Sequence, residues 1–119
     1  MTIKKTNPDF LNGVPELLVL QLLDRRPMHG YDLVQAIREA SGGRLDFGEG
    51  CIYPVLHRLE EQKFLGSKRE LVGGRNRIIY RVTRQGSRQL AESVVTWKSI
   101  VAAVSGVLQG SEHGKPAMA

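Results

Sequence analysis

The chain has 119 residues, 41% of them hydrophobic, and a formal net charge of +5. This length predicts one domain with a small core, which favours further burial in an oligomer. The single cysteine, Cys51, excludes an intrachain disulfide and fits a reducing cytoplasm, and the excess positive charge favours a polyanionic partner.

Residues 1–12 are predicted to form a flexible arm. Lys4 and Lys5 are not followed by an apolar segment, so this arm does not have the pattern of a signal peptide. The longest apolar run, Leu17 to Leu23, is interrupted by Gln21 and is too short to cross a bilayer. We therefore expect a cytoplasmic protein without a membrane contact.

The first predicted helix begins near Pro15, because proline is tolerated in the first turn of a helix. It is apolar on most sides and should be buried, either centrally or against a second subunit. Arg25-Arg26-Pro27 ends it. A second helix is predicted from about Gly30 to Ala40, where Ser41-Gly42-Gly43 stops it.

A third, amphipathic helix is predicted to begin close to Cys51, because Pro54 is tolerated only near a helix start. Its apolar face has helical spacing and comprises Ile52, Val55, Leu56 and Leu59. Tyr53, His57 and Arg58 lie off that face, where a partner could reach them.

A basic β-hairpin is predicted after the third helix, with Gly73-Gly74 as its turn. Glu70 is the only acid in this region, whereas a solvated face would usually mix the two signs of charge. The basic residues are Lys63, Lys68, Arg69, Arg75, Arg77, Arg81, Arg84 and Arg88. Such a cluster favours contacts with nucleic-acid phosphates over a merely solubilising surface.

A long final helix is predicted after Thr83, which is a good N-cap residue. Its apolar residues recur with heptad spacing: Leu90, Val94, Trp97, Val101, Val104 and Leu108. This seam predicts a dimer interface, although it is shorter than a firm coiled-coil repeat, and the alternative is packing on its own domain.

The order of three helices, a hairpin and a long helix predicts a mainly α fold with a small β-hairpin, namely a winged helix-turn-helix domain with a C-terminal dimerisation helix. We place the DNA-binding domain at residues 13–86, the dimerisation helix at 87–109 and a disordered tail at 110–119.

The sequence resembles the PadR-like transcriptional regulators, a family of bacterial and archaeal repressors named for the control of phenolic acid detoxification. The resemblance spans about residues 13–105 and most resembles the short subfamily with a single final helix. Its matching segments are Glu16–Leu23, Pro27–Leu33, Gly50, Ile52–Pro54, Leu56–Glu60, Tyr80, Thr83, Gly86 and Leu90. It implies a homodimer that binds a palindromic operator and that, in some members, is released by a small molecule.

Two residues depart from the family pattern. Lys63 stands where a glycine usually ends the recognition helix in a left-handed conformation, so this turn is expected to be strained or reshaped. Cys51 replaces a common serine or threonine, which removes one hydroxyl contact. Near a helix N-terminus the thiol could have a lowered pKa and sense oxidants, but a small packed residue is favoured.

The residues predicted to contact double-stranded DNA come from the start of the second helix, the third helix and the hairpin. They are Tyr31, Cys51, Tyr53, Pro54, His57, Arg58, Lys68, Arg75, Asn76 and Arg77. Tyr53 could instead pack against the wing, and Arg58 could take a phosphate or an acidic neighbour rather than a guanine edge. Tyr80 is expected in the core.

Trp97, the only tryptophan, could line a pocket for a small planar aromatic effector at the dimer axis, with plain packing as the alternative. Leu17, Leu18, Val94 and Val101 would supply its apolar walls.

The function predicted from these features is a DNA-binding repressor without a cofactor. The alternative is a winged-helix module that binds RNA or another protein. Neither a paired nucleophile and base nor paired carboxylates are visible, which argues against an enzyme, and the histidines lack metal-ligand spacing.

Overall fold

The structure is a computed structural model that describes residues 13–110. The predicted arm at 1–12 and the predicted tail from 111 onward lie outside the described residues. The elements are α1 (Val14–Arg25), β1 (Met28–His29), α2 (Gly30–Ala40), α3 (Glu49–Glu61), β2 (Leu65–Val72), β3 (Arg75–Val82) and α4 (Arg84–Gln109). The predicted order of elements is confirmed, with one additional strand.

The additional strand is β1, which makes the hairpin part of a three-stranded antiparallel sheet in the order β1-β3-β2. Met28 pairs with Tyr80 and His29 with Ile79, so the sheet is anchored directly before α2. Two residues are too few to show strand alternation, which is why the sequence did not predict it. Gly73 and Gly74 have φ values of 58° and 82°, as a two-residue hairpin turn requires.

Helix α1 lies at the centre of the domain and contacts α2, α3, α4 and β3. Val19, Leu20 and Leu23 are almost completely buried, which confirms the predicted burial of this helix. The rest of the core comes mainly from the inner faces of α2 and α3, with Leu65 and Tyr80 from the sheet. Tyr80 is therefore a core residue, as expected.

Helix α3 begins at Glu49, two residues earlier than expected, so Pro54 occupies its sixth position. Proline there removes the hydrogen bond that would reach the carbonyl of Gly50. Gly50 is exposed, so water can satisfy that carbonyl. The exposed first turn thus tolerates a proline deeper in the helix than the sequence argument allowed.

Helix α3 ends in the left-handed turn expected at Lys63, whose φ is 71°. The N–H of Phe64 donates to the carbonyl of Leu59, and that of Lys63 to the carbonyl of Glu60, each at 3.0 Å. This is the Schellman pattern, in which glycine normally takes the left-handed residue. Helix α2 ends in the same pattern with glycine, Gly42, in that place.

Thr83 joins this turn to the start of α4. Its hydroxyl donates to the carbonyl of Lys63 at 2.7 Å and accepts from the N–H of Gly86 at 3.0 Å, which confirms the predicted N-cap. A Cβ atom on Gly86 would lie 2.1 Å from the carbonyl oxygen of Phe64, so only glycine fits there. Helix α4 therefore begins at Arg84, directly after Thr83 as predicted, and its first three residues fall within the segment 13–86 that we assigned to the DNA-binding domain.

Helix α4 belongs to the domain core only near its start. Leu90 is buried and Val94 packs against the core, whereas Val95, Val104 and Leu108 are 68%, 50% and 80% exposed. By length and composition α4 is also able to cross a membrane, a property that the sequence argument, limited to the run at residues 17–23, did not consider. Its outer half therefore exposes apolar side chains to solvent in a single chain.

We predict that Lys63→Gly stabilises the protein. A side chain costs about 1–2 kcal/mol in the left-handed region, and the extra freedom of glycine in the unfolded chain offsets part of that gain. The free energy of unfolding in urea should rise by about 0.5–1 kcal/mol. Gln62→Gly is the matched control, because Gln62 has right-handed backbone angles and its replacement should destabilise the protein. Equal destabilisation by both changes would contradict strain at Lys63.

Candidate nucleic-acid interface

A polar cleft of about 320 Å³ lies between α3, the start of α2 and the wing, which we define as β2, β3 and their turn. It is lined by His29, Gly30, Tyr53, His57, Asn76, Arg77, Ile78 and Tyr80. Four of the residues predicted to contact DNA, two from α3 and two from the wing, therefore meet in one place although about twenty positions separate them in sequence.

The ring of Tyr53 packs directly against Gly30 at the start of α2. A Cβ atom on Gly30 would lie 2.6 Å from two ring carbons of Tyr53 and 2.7 Å from its hydroxyl oxygen. The half-buried ring thus packs against α2 while it also lines the cleft. Its contact with Gly30 fixes the position of α3 relative to α2.

The start of α2 displays Tyr31 beside the cleft. His29 is the N-cap residue, and its Nδ1 accepts a hydrogen bond from the N–H of Asp32 at 3.4 Å. The rings of His29 and Tyr31 stack with 6.5 Å between centroids, and Tyr31 is 50% exposed. The Tyr31 ring is therefore held in place and remains accessible to a partner.

The strand register divides the wing into two faces, because directly opposed residues share a face. Arg69 pairs with Ile78 and Leu71 with Asn76, on the face that carries Tyr80 and lines the cleft. Arg69 was part of the basic cluster predicted to favour phosphates, but it was not among the individual residues predicted to contact DNA. The two-residue alternation of β2 was the signal that could have placed it with Asn76.

By the same register Lys68, Arg75 and Arg77, all predicted to contact DNA, lie on the second face of the wing, although Arg77 also borders the cleft. Glu70, the one acid of this region, lies opposite Arg77, and its carboxylate pairs with Arg81 at 2.8 Å. Arg81 is thus partly neutralised, and the positive charge is concentrated toward the tip of the wing.

Arg58 faces α1 in the described structure, where its guanidinium forms an ion pair with Glu16. This corresponds to the alternative of an acidic neighbour rather than a guanine edge. Pro54 is exposed on the first half of α3, so contact with DNA remains open to it.

Cys51 is half-buried and packs against the core next to Glu16 and Arg58. Burial raises the pKa of its thiol, the charge of Glu16 raises it further, and Arg58 lowers it. The expectation of a lowered pKa at the helix start is therefore wrong, because burial and the charge of Glu16 together outweigh the charge of Arg58. Its half-buried position favours packing over the predicted contact with DNA.

A second pocket, of about 340 Å³, lies between the first turn of α1 and α4. It is lined by Gly13, Val14, Leu17, Gln89, Glu92, Ser93, Thr96, Trp97 and Ile100. Of the five residues predicted to bind an effector, this pocket brings together Trp97 and Leu17. Leu18 instead lines a pocket between α1 and α2.

The residues of the predicted dimer seam differ in how much of their surface is exposed. Leu90 is 6% exposed and packs in the core of its own domain, so it has no surface left to bury against a partner. Val94 also packs there. Trp97 and Val101 are each 41% exposed, and with Val104 and Leu108 they form the part of the seam that remains available.

Across residues 13–110, no group of three or more histidine, cysteine or acidic side chains is arranged to hold a metal ion.

We predict that the thiol of Cys51 titrates above the ordinary cysteine pKa, because burial and Glu16 disfavour the thiolate. Since it is the only cysteine, iodoacetamide alkylation against pH reports it alone. Glu16→Gln should move the alkylation midpoint to lower pH and Arg58→Gln to higher pH. Equal midpoints in all three proteins would contradict the placement of Cys51 beside this ion pair.

A helix that presents polar side chains beside a cationic two-stranded wing defines the class of winged helix-turn-helix proteins. The model of the transcriptional regulator PadR-like family matches residues 19–92. The protein belongs to this family. Its members are transcriptional regulators, which confirms the recognised resemblance and the prediction that the protein is not an enzyme.

Relatives and solved structures agree with this assignment. The chain is 37% identical over 84 residues to the transcriptional regulator YqjI of Escherichia coli, covering 71% of this chain and 39% of YqjI. It is 34% identical over 84 residues to the transcriptional regulator Rv3488 of Mycobacterium tuberculosis, covering 71% and 76% of the two chains. The chain thus spans about two fifths of the length of YqjI.

The fold is shared with a PadR family regulator from Eggerthella lenta, with a TM-score of 0.75 at 30% identity over 87% of this chain and 88% of that one. A PadR-like regulator from Bacillus cereus gives a TM-score of 0.74 at 28% identity, with coverage of 87% and 99%. The predicted winged-helix fold is therefore confirmed.

Proposed function

We propose that the protein is a cytoplasmic transcriptional repressor that binds a pseudo-palindromic operator in double-stranded DNA as a homodimer. The observation that carries this proposal is the cleft in which Tyr53 and His57 of α3 meet Asn76 and Arg77 of the wing. In this arrangement α3 enters the major groove, where base edges are read, and the wing follows the phosphate backbone.

Binding by the wing is mainly electrostatic in this proposal. Arg75 and Arg77 lie on one face near its tip, and Arg69 and Asn76 lie on the other. Cations on both faces suit a wing that lies along a phosphate backbone, because each neutralised phosphate releases a counterion. The outward residues of α3, with Tyr31 beside them, then supply the sequence preference.

We predict a steep salt dependence for DNA binding. If each dimer neutralises roughly six to ten phosphates, affinity should fall by about 10³–10⁵ between 50 and 200 mM salt. Arg75→Ala with Arg77→Ala should weaken all DNA sequences similarly and lower the salt slope by about 0.9 for each phosphate that is no longer neutralised. Fluorescence anisotropy with labelled duplexes measures both quantities.

The matched control is Arg26→Ala with Arg44→Ala, which removes the same charge from exposed positions outside the wing. This pair should leave the slope nearly unchanged. If both double variants lose affinity equally, net charge rather than the wing is responsible. A wild type with a flat salt dependence would contradict the phosphate-binding role.

The exposed half of α4 supports a dimer. Trp97, Val101, Val104 and Leu108 continue the heptad spacing beyond the point where α4 leaves its own core. Two subunits joined this way would present two α3 helices, and half-sites about 34–36 Å apart would fit one helical turn of DNA. A footprint on one asymmetric half-site would argue against this arrangement.

We predict that Val101→Asp dissociates the dimer or prevents folding, because it would bury an unpaired carboxylate at a cost of several kcal/mol. Sedimentation velocity measures the change in mass. Val95→Asp is the matched control, since Val95 is 68% exposed and occupies an outward position of the heptad. A Val101→Asp protein that remains a dimer would place the interface elsewhere.

A membrane is the other partner that α4 could take by its length and composition. The polar residues Gln89, Glu92, Ser93 and Thr96 occur along the first half of α4, where they line the pocket against α1. This placement favours a helix that packs on protein. Recovery of the full chain in the membrane fraction would contradict the cytoplasmic dimer.

We further propose that a small planar aromatic effector binds the pocket beside Trp97. The indole is 41% exposed, and the pocket combines apolar walls with hydroxyl and amide groups of α4. An effector releases DNA only if it binds the DNA-free form more tightly. Titration of planar aromatics, followed by Trp97 fluorescence and operator binding in parallel, distinguishes a regulatory pocket from plain packing.

A further inference from the structure

The first turn of α1 faces two functional regions at once. Val14 and Leu17 line the pocket beside Trp97, together with the N-cap residue Gly13. Glu16 lies between them in sequence, turned about 100° from Leu17 around the helix axis, and pairs with Arg58 of α3. One turn of helix therefore contacts both the pocket and the helix that carries the DNA-reading residues.

The ion pair between Glu16 and Arg58 can resist a movement of α1 relative to α3. The Glu16 side chain is 29% exposed and that of Arg58 is 51% exposed, so solvent screens the attraction only in part. Cys51, in the first turn of α3, is influenced by the charges of both residues, which shows that the start of α3 lies beside the same pair. The ion pair therefore links α1 directly to α3, the helix proposed to enter the major groove.

The first turn of α1 is held by packing rather than by a cap, since Pro15 is buried and Val14 and Leu17 pack against the core. Gly13 is in the left-handed conformation and gives no side-chain cap, and Pro15 has no N–H to donate. The N–H of Leu17 donates to the carbonyl of Gly13 at a long 3.3 Å. A group that enters the pocket would press on Val14 and Leu17 at the start of the helix rather than on its buried middle.

We propose that Glu16 is a positioning residue that, through Arg58, couples occupancy of the α1–α4 pocket to the orientation of α3 and so to DNA affinity. This inference rests on the proposed function, because it assumes that α3 reads DNA. An occupant that shifts Val14 and Leu17 moves Glu16 with them, and Arg58 transmits the shift to α3. By linkage, DNA and the occupant then weaken each other's binding by the same factor.

The test fills the pocket with a larger side chain introduced by substitution, so it does not depend on the identity of an effector. Thr96→Trp places an indole at an exposed position that lines the pocket. Ala91→Trp is the matched control, because Ala91 is exposed on α4 and does not line the pocket. Ser93→Phe provides a second filling variant, and thermal unfolding shows which variants are folded.

Each filling variant is made in the wild type, in Glu16→Gln, in Arg58→Gln and in the swap of Glu16→Arg with Arg58→Glu. DNA affinity is measured by anisotropy on a duplex that the wild type selects from a random pool, and each protein is compared with its own background. Filling should weaken binding by about tenfold in the wild type and by less than about twofold in either single variant. In the swap of the two charges, filling the pocket should again weaken DNA binding nearly as much as in the wild type.

The same loss of affinity in every background, or no loss in any, would overturn the coupling through Glu16 while leaving the proposed DNA-binding function intact. A loss with Ala91→Trp as large as with Thr96→Trp would also overturn it, since occupancy of the pocket would then not be the cause. Failure of the wild type to select any duplex would overturn the proposed function as well as this inference.

Discussion

The structure depends on the burial of α1, a helix of only 12 residues that is apolar on most of its surface. Such a helix is stable only when other elements surround it, because an isolated helix of this length is marginal in water. Helices α2, α3 and α4 and strand β3 all pack against it. The relative positions of α3, the wing and the long final helix are thus set by contacts with one short segment.

This central packing also explains why α4 has two different halves. The first turns complete the cover of α1 with Gly86 and Leu90, and Gly86 approaches the carbonyl of Phe64 too closely for any side chain. Beyond Val94 the apolar residues of α4 no longer belong to the core of the domain. The apolar residues from Trp97 onward therefore stay exposed in a single chain, and the pocket beside Trp97 lies where the two halves meet.

The pairing of the strands determines where the cations of the wing lie relative to α2 and α3. Strand β1 pairs with β3 immediately before α2, so the base of the wing and the start of α2 lie against each other. This brings His29 and Tyr31 next to Tyr53 and the base of the wing. Because Arg81 is partly neutralised by Glu70, the free cations lie toward the tip, where a phosphate backbone would pass.

The sequence by itself determined the order of the helices, the hairpin turn at Gly73-Gly74 and the cap at Thr83, because each rests on local periodicity or backbone chemistry. It also located the cationic wing and the apolar seam of α4. Only the tertiary structure decided that Leu90 belongs to its own core, that Arg58 pairs with Glu16 and that burial raises the pKa of Cys51. These outcomes depend on residues distant in sequence that packing brings together, and no local pattern encodes which side of a helix meets which neighbour.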